Sequence, residues 1–245
     1  MAGNSRVGSD RSRMDRRGFL RAAALGAVTA AALTGCAAAG GRRPGSSTPA
    51  ASPSASSAGG DGAWALLVYF SRAGENYYYG GRTRLAVGNT QVVAELIAAL
   101  VTVDVYRIEA ADPYPDGYDE TVQRNSREMT DNARPAIANP LPDLARYDTI
   151  LLGSPIWGMQ PPMIMRTFVE ALDFSGKRIL PFTTHAMSGL GSAMSNYAEA
   201  APDATIGDGM AVQGEEAAGA GAQVEEWLRA SGLLARQETQ EKAGS

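Results

Sequence analysis

The sequence predicts a doubly wound α/β domain, in which helices cover both faces of a parallel sheet. Short apolar runs alternate five times with longer segments of helical periodicity between residues 64 and 234. The first run is continuous, which is typical of a strand buried on both faces. Parallel strands need crossover connections, and these are right-handed and place helices against the sheet.

Five strands and five helices follow from this alternation. The first strand is the apolar run at residues 64–70, and the others are placed at residues 103–108, 149–152, 178–183 and 204–212. Residues 90–101 carry one apolar stripe, and Asn89 or Thr90 can cap this helix. The remaining helices are expected at residues 118–131, 162–172, 190–200 and 215–231.

Charge and cysteine content exclude several classes of function. The 245 residues contain 22 Lys and Arg against 26 Asp and Glu. Residues 1–35 hold six Arg and two Asp, so the remainder has 22 − 6 = 16 basic and 26 − 2 = 24 acidic side chains, a net charge of −8. This acidic body argues against a nucleic-acid partner. A single cysteine excludes an internal disulfide, a Cys-based zinc site and a thiolate-held iron–sulfur cluster, so redox chemistry would need a cofactor.

The N-terminus predicts an export signal peptide over residues 1–35. Its apolar stretch, residues 22–34, rises only about 20 Å as a helix, short of the roughly 30 Å core of a bilayer. The preceding Arg16-Arg17 pair resembles a twin-arginine export signal, and residues 33–36 (Leu-Thr-Gly-Cys) resemble the lipobox of bacterial lipoproteins. This resemblance implies cleavage before Cys36, lipidation of its sulfur and an anchor on the extracytoplasmic face of the bacterial cell membrane. The alternative is an uncleaved tail with a free thiol.

Three further boundaries complete the domain organisation. Residues 36–62, rich in Ala, Gly, Ser and Pro, bury too little apolar surface to order and are expected to be a flexible tether behind the lipidated cysteine. The globular domain is placed at residues 63–234. The polar residues 235–245 are expected to be a disordered tail.

Candidate binding residues follow three of the predicted strands, where ligands bind in sheets of this type. The first loop ends in Gly88-Asn89-Thr90 at a helix N-terminus, which with Ser71 suits an anion. The second, residues 153–158, presents Trp157 after Pro155. The third, residues 182–191, combines hydroxyls with glycines that let backbone approach a ring closely. One loop therefore suits a phosphate and two suit a flat heterocycle.

Together these loops resemble those of a flavodoxin-type FMN domain. The resemblance rests on Tyr-Phe-Ser at 69–71, Gly-Asn-Thr at 88–90, Gly-Ser-Pro-Ile-Trp-Gly at 153–158 and the 183–191 run, and it covers about residues 64–234. It implies strand order 2-1-3-4-5, a phosphate held by the first loop and an isoalloxazine held by the other two. The implied cofactor contacts are Ser71, Arg72, Gly88, Asn89, Thr90, Ser154, Pro155, Ile156, Trp157, Gly158, Thr183, Thr184, His185, Ser188, Gly189 and Gly191.

One segment departs from the short loop of the family pattern. Residues 72–87 intervene before Gly88, which resembles a subgroup with an extended first loop and leaves open whether Ser71 reaches the phosphate. At least one of Tyr77, Tyr78 and Tyr79 is expected to line a ligand cleft or contact a partner.

Several residues carry two interpretations. Trp157 is expected to stack on the flavin rather than only fill space between loop and helix. Arg72 either pairs with the phosphate or is solvated. His185, the sole histidine, is either a proton donor near the flavin or a loop residue without a catalytic role.

The resulting hypothesis is an FMN-binding electron-transfer protein, anchored to the membrane by lipid, with a redox protein or small molecule as its partner. No triad, HExxH motif or paired-carboxylate signature offers a competing chemistry. Two alternatives stay open: an FMN-dependent NAD(P)H:quinone-type reductase, and a flavin-free binding module of the cell envelope.

Overall fold

The computed structural model of the protein describes residues 64–243. The predicted signal peptide at residues 1–35, the lipidation site Cys36 and the tether at residues 36–62 lie outside the described residues. Within the described range, no helix combines the length and apolarity needed to cross a bilayer.

Six strands form one parallel sheet, and two further strands form a hairpin beside it. In chain order the strands are β1 (Ala65–Tyr69), β2 (Gly74–Tyr78), β3 (Gly81–Leu85), β4 (Asp104–Arg107), β5 (Thr149–Pro155), β6 (Arg178–His185), β7 (Thr205–Ile206) and β8 (Met210–Gln213). The helices are α1 (Asn89–Leu100), α2 (Tyr118–Thr130), α3 (Met163–Glu170), α4 (Ala193–Ala200), α5 (Gly221–Ala230) and α6 (Leu233–Ala243), with a 3₁₀ helix at Gly214–Gly219.

The order of the parallel sheet is β4-β1-β5-β6, with β7 and β8 both paired to the far edge of β6. Counted over the five predicted strands this is order 2-1-3-4-5, so the predicted doubly wound α/β fold is confirmed. The reversal of strand order lies between β1 and β5, and their carboxyl ends open onto the same edge of the sheet.

The fifth predicted strand, residues 204–212, is in fact two short strands. Gly207 donates its N–H to the carbonyl oxygen of Ile179 over 2.8 Å, directly after β7 ends. A Cβ at Gly207 would lie 2.6 Å from Leu180, and one at Gly209 would lie 2.8 Å from Leu190. The chain therefore crosses close to its neighbours here and leaves the ladder between β7 and β8.

Apolar layers cover both faces of the sheet, as the continuous run of β1 predicts. Leu67 and Tyr69 pack with α1 and α5 on one face, while Leu66 and Val68 pack with α3 and α4 on the other. Every residue of β1 is buried. This packing fixes the sheet rigidly beneath the loops at its carboxyl edge.

The segment at residues 72–87, expected as an extended loop, is the antiparallel hairpin β2–β3. Tyr79 (φ 43°) and Gly80 (φ 84°) form its turn. Positive φ at both central residues is the geometry of a type I′ turn, whose twist matches that of paired strands. At the base, Glu75 donates its N–H to the carbonyl oxygen of Asp116 over 2.8 Å, so the hairpin rests on the start of α2.

The C-terminal segment differs from the expected disordered tail, because α6 continues through Ala243. Leu233 is buried, and the guanidinium of Arg236 lies 4.1 Å over the ring of Trp64. Arg236 also pairs with Asp148 at 2.8 Å. These long-range contacts, and not the local polar composition, order the helix.

Candidate cofactor-binding site

A cleft lies at the carboxyl edge of the sheet, where the order of strands reverses. Its cavity volume is about 100 Å³. Nine of the sixteen predicted cofactor contacts line it: Ser71, Arg72, Asn89, Thr90, Pro155, Ile156, Trp157, Thr184 and His185. Six further lining residues were not among those predicted contacts: Asn76, Tyr77, Tyr118, Ala186, Gly214 and Glu215.

The other seven predicted contacts lie outside the lining: Ser154 is within β5 and Thr183 within β6, and the rest are Gly88, Gly158, Ser188, Gly189 and Gly191 in the loops at this edge. Two of them, Ser154 and Thr183, have fully buried side chains. The hydroxyl of Ser154 accepts a hydrogen bond from Tyr197 at 3.3 Å, and that of Thr183 donates one to the carbonyl of Gly189 at 3.0 Å. Both hydroxyls therefore tie the strand ends to neighbouring segments of the chain.

The first loop brings Ser71 against the start of α1. The Ser71 hydroxyl accepts a hydrogen bond from the N–H of Gln91 at 3.1 Å, so it caps the first turn of α1 while its own O–H can still donate to a ligand. A Cβ at Gly88 would collide with this hydroxyl and with the carbonyl oxygen of Arg72, so only glycine allows the approach. The first turn of α1 carries no acidic side chain. Its leading N–H groups, at Asn89 and Thr90, have no partner within the helix and suit an anion.

Arg72 lies half-buried beside this helix start. Its terminal nitrogens donate to the carbonyl oxygens of Pro115 and Asp116, each at 3.1 Å, and of Glu75. Its Nε is buried and has no partner among the described residues. Burial lowers the pKa of Arg72, opposed by Asp116 and Glu75, but an arginine stays charged. Arg72 is thus not simply solvated: it anchors the hairpin base and keeps one N–H for an anion.

Trp157 lines the cleft from the loop after β5 while its ring packs edgewise on two aromatic neighbours. Its centroid lies 5.8 Å from that of Phe70 at 84° and 5.2 Å from that of Tyr114 at 71°. The backbone turns sharply behind it, with positive φ at Gly158 and Met159. The indole therefore packs in the core on one side and lines the cleft on the other, so it both fills space behind the loop and can contact a ligand.

His185 ends β6 and lines the cleft together with Glu215. Its Nδ1 is buried and has no partner in residues 64–243. Burial lowers the pKa of His185, and the carboxylate of Glu215 opposes this. His185 therefore contributes to the cleft wall while its Nδ1 is buried behind that wall.

The β2–β3 hairpin passes over the cleft. Asn76 and Tyr77 line the cleft from β2, and the N–H of Tyr79 at the tip donates to Glu215 at 2.7 Å. The Tyr79 hydroxyl donates to Glu216 at 3.3 Å. The hairpin thus connects the start of α2, which follows β4, with the turn that follows β8. The predicted role of the tyrosine group, that one of them lines a cleft, holds for Tyr77.

Comparison with known proteins identifies the family. A family model described as flavodoxin matches residues 83–230, more than half of the chain. The chain belongs to the flavodoxin family. No curated protein is significantly similar to the sequence.

Two solved structures resemble this flavodoxin-family chain. A putative flavoprotein from Bacteroides uniformis ATCC 8492 is 32% identical with a TM-score of 0.56, over 69% of this chain and 99% of that one. A putative flavoprotein from Bacteroides eggerthii DSM 20697 is 28% identical with a TM-score of 0.54, over 69% of this chain and 98% of that one. Membership of the flavodoxin family supports FMN as the cofactor.

Proposed function

We propose that the domain binds FMN non-covalently in this cleft and transfers electrons through it. The observation that carries the proposal is the buried, unpartnered Nε of Arg72 beside the N-terminus of α1, at the switch point of a flavodoxin-family sheet. The flavin supplies the redox chemistry when bound, and the chain supplies binding, orientation and electrostatics.

The phosphate would be held at the first loop. A guanidinium N–H and the leading N–H groups of α1 are donors of the kind that bind a phosphate, and the helix dipole adds positive potential there. The Ser71 hydroxyl accepts the N–H of Gln91 and keeps its own O–H to donate to a phosphate oxygen, so we assign it both to shaping the loop and to the phosphate.

The flat ring would be held by aromatic side chains. Trp157 borders the cleft from one loop, and Tyr77 borders it from the hairpin. The ring of Trp157 makes edge-type contacts with Phe70 and Tyr114, at interplanar angles of 84° and 71°. Both neighbours therefore help to hold the indole in place.

Entry of FMN would require the β2–β3 hairpin to move. The cleft volume of about 100 Å³ is smaller than the roughly 300–1,000 Å³ of ordinary ligand pockets. The tip is fastened by the hydrogen bonds of Tyr79 to Glu215 and Glu216. We therefore expect the hairpin to move outward as FMN enters and to slow its release afterwards.

The N-terminal sequence supports a location for this activity. The lipobox resemblance around Cys36 and the paired arginines at 16–17 favour a lipid anchor and an extracytoplasmic domain. Redox partners would then be proteins or small molecules at that face of the membrane.

A second candidate is an FMN-dependent NAD(P)H:quinone-type reductase. The hairpin favours it, because Asn76 and Tyr77 add a wall that a substrate cleft over the ring would need. Rapid NAD(P)H oxidation by the FMN-loaded chain with a quinone would support this candidate over an electron carrier.

The proposal is tested by titrating the full-length chain, purified in detergent, with FMN and recording its absorption. We expect a bound flavin spectrum, a loss of affinity of about tenfold or more in Trp157→Ala, and a smaller loss in Trp157→Phe, which keeps an aromatic ring. Circular dichroism controls for folding. A chain that leaves the absorption spectrum of FMN unchanged, and is colourless once free FMN is removed, would instead support the flavin-free binding module.

A further inference from the structure

Tyr114 lies behind Trp157, outside the cleft lining, in the loop between β4 and α2. Its ring centroid is 5.2 Å from that of Trp157 and 5.3 Å from that of Phe70. Phe70 and Trp157 are themselves 5.8 Å apart. The three rings therefore form one cluster with Trp157 on its cleft side, and we call Phe70, Tyr114 and Trp157 the aromatic cluster.

An ion network fixes the position of Tyr114 within this cluster. Its hydroxyl donates to Glu128 at 2.8 Å, and Arg124 donates to the other oxygen of that carboxylate at 2.7 Å. The Arg124 guanidinium also lies 4.0 Å over the Tyr114 ring and pairs with Asp112 at 3.0 Å. Tyr114 is thus held by its hydroxyl, by its ring face and by two aromatic edges.

The network is buried, which makes it sensitive to the loss of any partner. Only 8% of Glu128 is exposed, and the side chain of Arg124 is 13% exposed. Burial and the Glu128 carboxylate raise the pKa of Tyr114, so the phenol stays a donor across the physiological range. Removing one partner of a buried charged pair leaves the other unpaired at a substantial cost.

We infer that Tyr114, held by Glu128 and Arg124, is a positioning residue that sets the tilt of the Trp157 indole toward the cofactor. The inference rests on the proposed function, because it concerns the ring against which the flavin stacks. In the part of the chain that the structure describes, the ring contacts of Trp157 are those with Phe70 and Tyr114. Of these two, only Tyr114 is itself tied to a charged network.

The test is a double-mutant cycle on FMN affinity in the full-length chain, with Tyr114→Leu, Trp157→Ala and the double variant. Tyr114→Leu is expected to weaken FMN binding about tenfold alone and to add almost nothing in the Trp157→Ala background. Tyr114→Phe, which keeps the ring and loses the bond to Glu128, gives a smaller loss and remains informative if the leucine variant fails to fold. Tyr106→Phe is the matched control: Tyr106 is also half-buried, packs on Phe168 at 5.6 Å and lies outside the cleft lining.

A second readout follows the indole itself without FMN. With 5-fluorotryptophan incorporated, the ¹⁹F resonance of Trp157 is assigned by its loss in Trp157→Phe. We expect it to shift or broaden in both Tyr114 variants and to stay unchanged in Tyr106→Phe. The flavin midpoint potential is expected to move with the Tyr114 variants but not with Tyr106→Phe.

The outcomes separate this inference from the proposed function. An unchanged Trp157 resonance in the Tyr114 variants, or additive losses in the cycle, would overturn the positioning role while FMN binding stands. Wild-type FMN affinity in Trp157→Ala would remove the stacking role and the inference with it. Failure of the native chain to bind FMN would refute the proposed function.

Discussion

The backbone N–H of Tyr79 donates a hydrogen bond of 2.7 Å to the carboxylate of Glu215, which lies 136 positions further along the chain. Tyr79 is the tip of the β2–β3 hairpin, whose base rests on Asp116 at the start of α2. The hairpin is therefore fastened at both ends, and its β2 residues Asn76 and Tyr77 line the cleft between them.

Loss of the hydrogen bond between Tyr79 and Glu215 is expected to speed the release of FMN. Glu215→Ala removes the acceptor, and we expect dissociation about fivefold faster, in line with one ordinary hydrogen bond. Glu215→Gln keeps an acceptor oxygen but removes the charge, so its dissociation rate stays near wild type. Stopped-flow flavin fluorescence measures the rate, and Glu225→Ala on α5 is the control. Equal acceleration by Ala and Gln would point to charge and against a fastened hairpin.

Gly88 is expected to tolerate no side chain. In Gly88→Ala the new methyl would collide with the Arg72 carbonyl oxygen and the Ser71 hydroxyl, and overpacking of this kind costs about 1–3 kcal/mol. The midpoint temperature of thermal unfolding should fall accordingly, and FMN affinity should fall with it. Gly221→Ala is the matched control, because a Cβ there meets nothing within 4 Å. Unchanged stability in Gly88→Ala would contradict the close approach of the first loop to α1.

Much of the fold was predictable because strands buried on both faces leave a continuous apolar run. Residues 64–70 are such a run, and β1 lies within it. The division of the fifth strand into β7 and β8 was not predictable, because it depends on the close contacts of Gly207 with Leu180 and of Gly209 with Leu190. Such contacts are absent from the local sequence.

The site was predictable at strand ends and at the start of α1. Trp157 follows β5, Thr184 and His185 end β6, and Asn89 and Thr90 begin α1. Glu215 lines the cleft, and Tyr114 packs behind Trp157. Tertiary packing brings both residues to these places, so periodicity and turn signals could not indicate them. The buried state of Ser154 likewise depends on Tyr197, a residue 43 positions away.

Stability of the FMN-free chain is expected to depend on His185. Burial lowers its pKa in the folded state, so below its ordinary value near 6.5 the unfolded chain binds more protons than the folded one. Stability should therefore fall as the pH drops through about 6.5. Urea unfolding at a series of pH values should show a shallower fall in His185→Gln. The same pH dependence in both proteins would exclude this residue as its source.

The predicted lipid anchor has a direct chemical test. Cys36→Ser should abolish labelling by a radioactive fatty acid and move the protein from the membrane to the soluble fraction of the producing bacterium. Membrane association that survives this substitution would refute the lipobox hypothesis.

The most direct test of the central claim compares FMN with riboflavin, which lacks the phosphate. The full-length chain is expected to bind FMN at least about tenfold more tightly, and Arg72→Gln should remove about tenfold of that preference. Because Arg72 also anchors the hairpin base, any loosening of the hairpin weakens both ligands and cancels in the ratio of their affinities. Arg82→Gln removes the ion pair between β3 and Asp119 of α2 and lies outside the cleft lining, so it should affect both ligands alike. Equal affinities for FMN and riboflavin in the native chain would contradict a phosphate site at Arg72 and the start of α1.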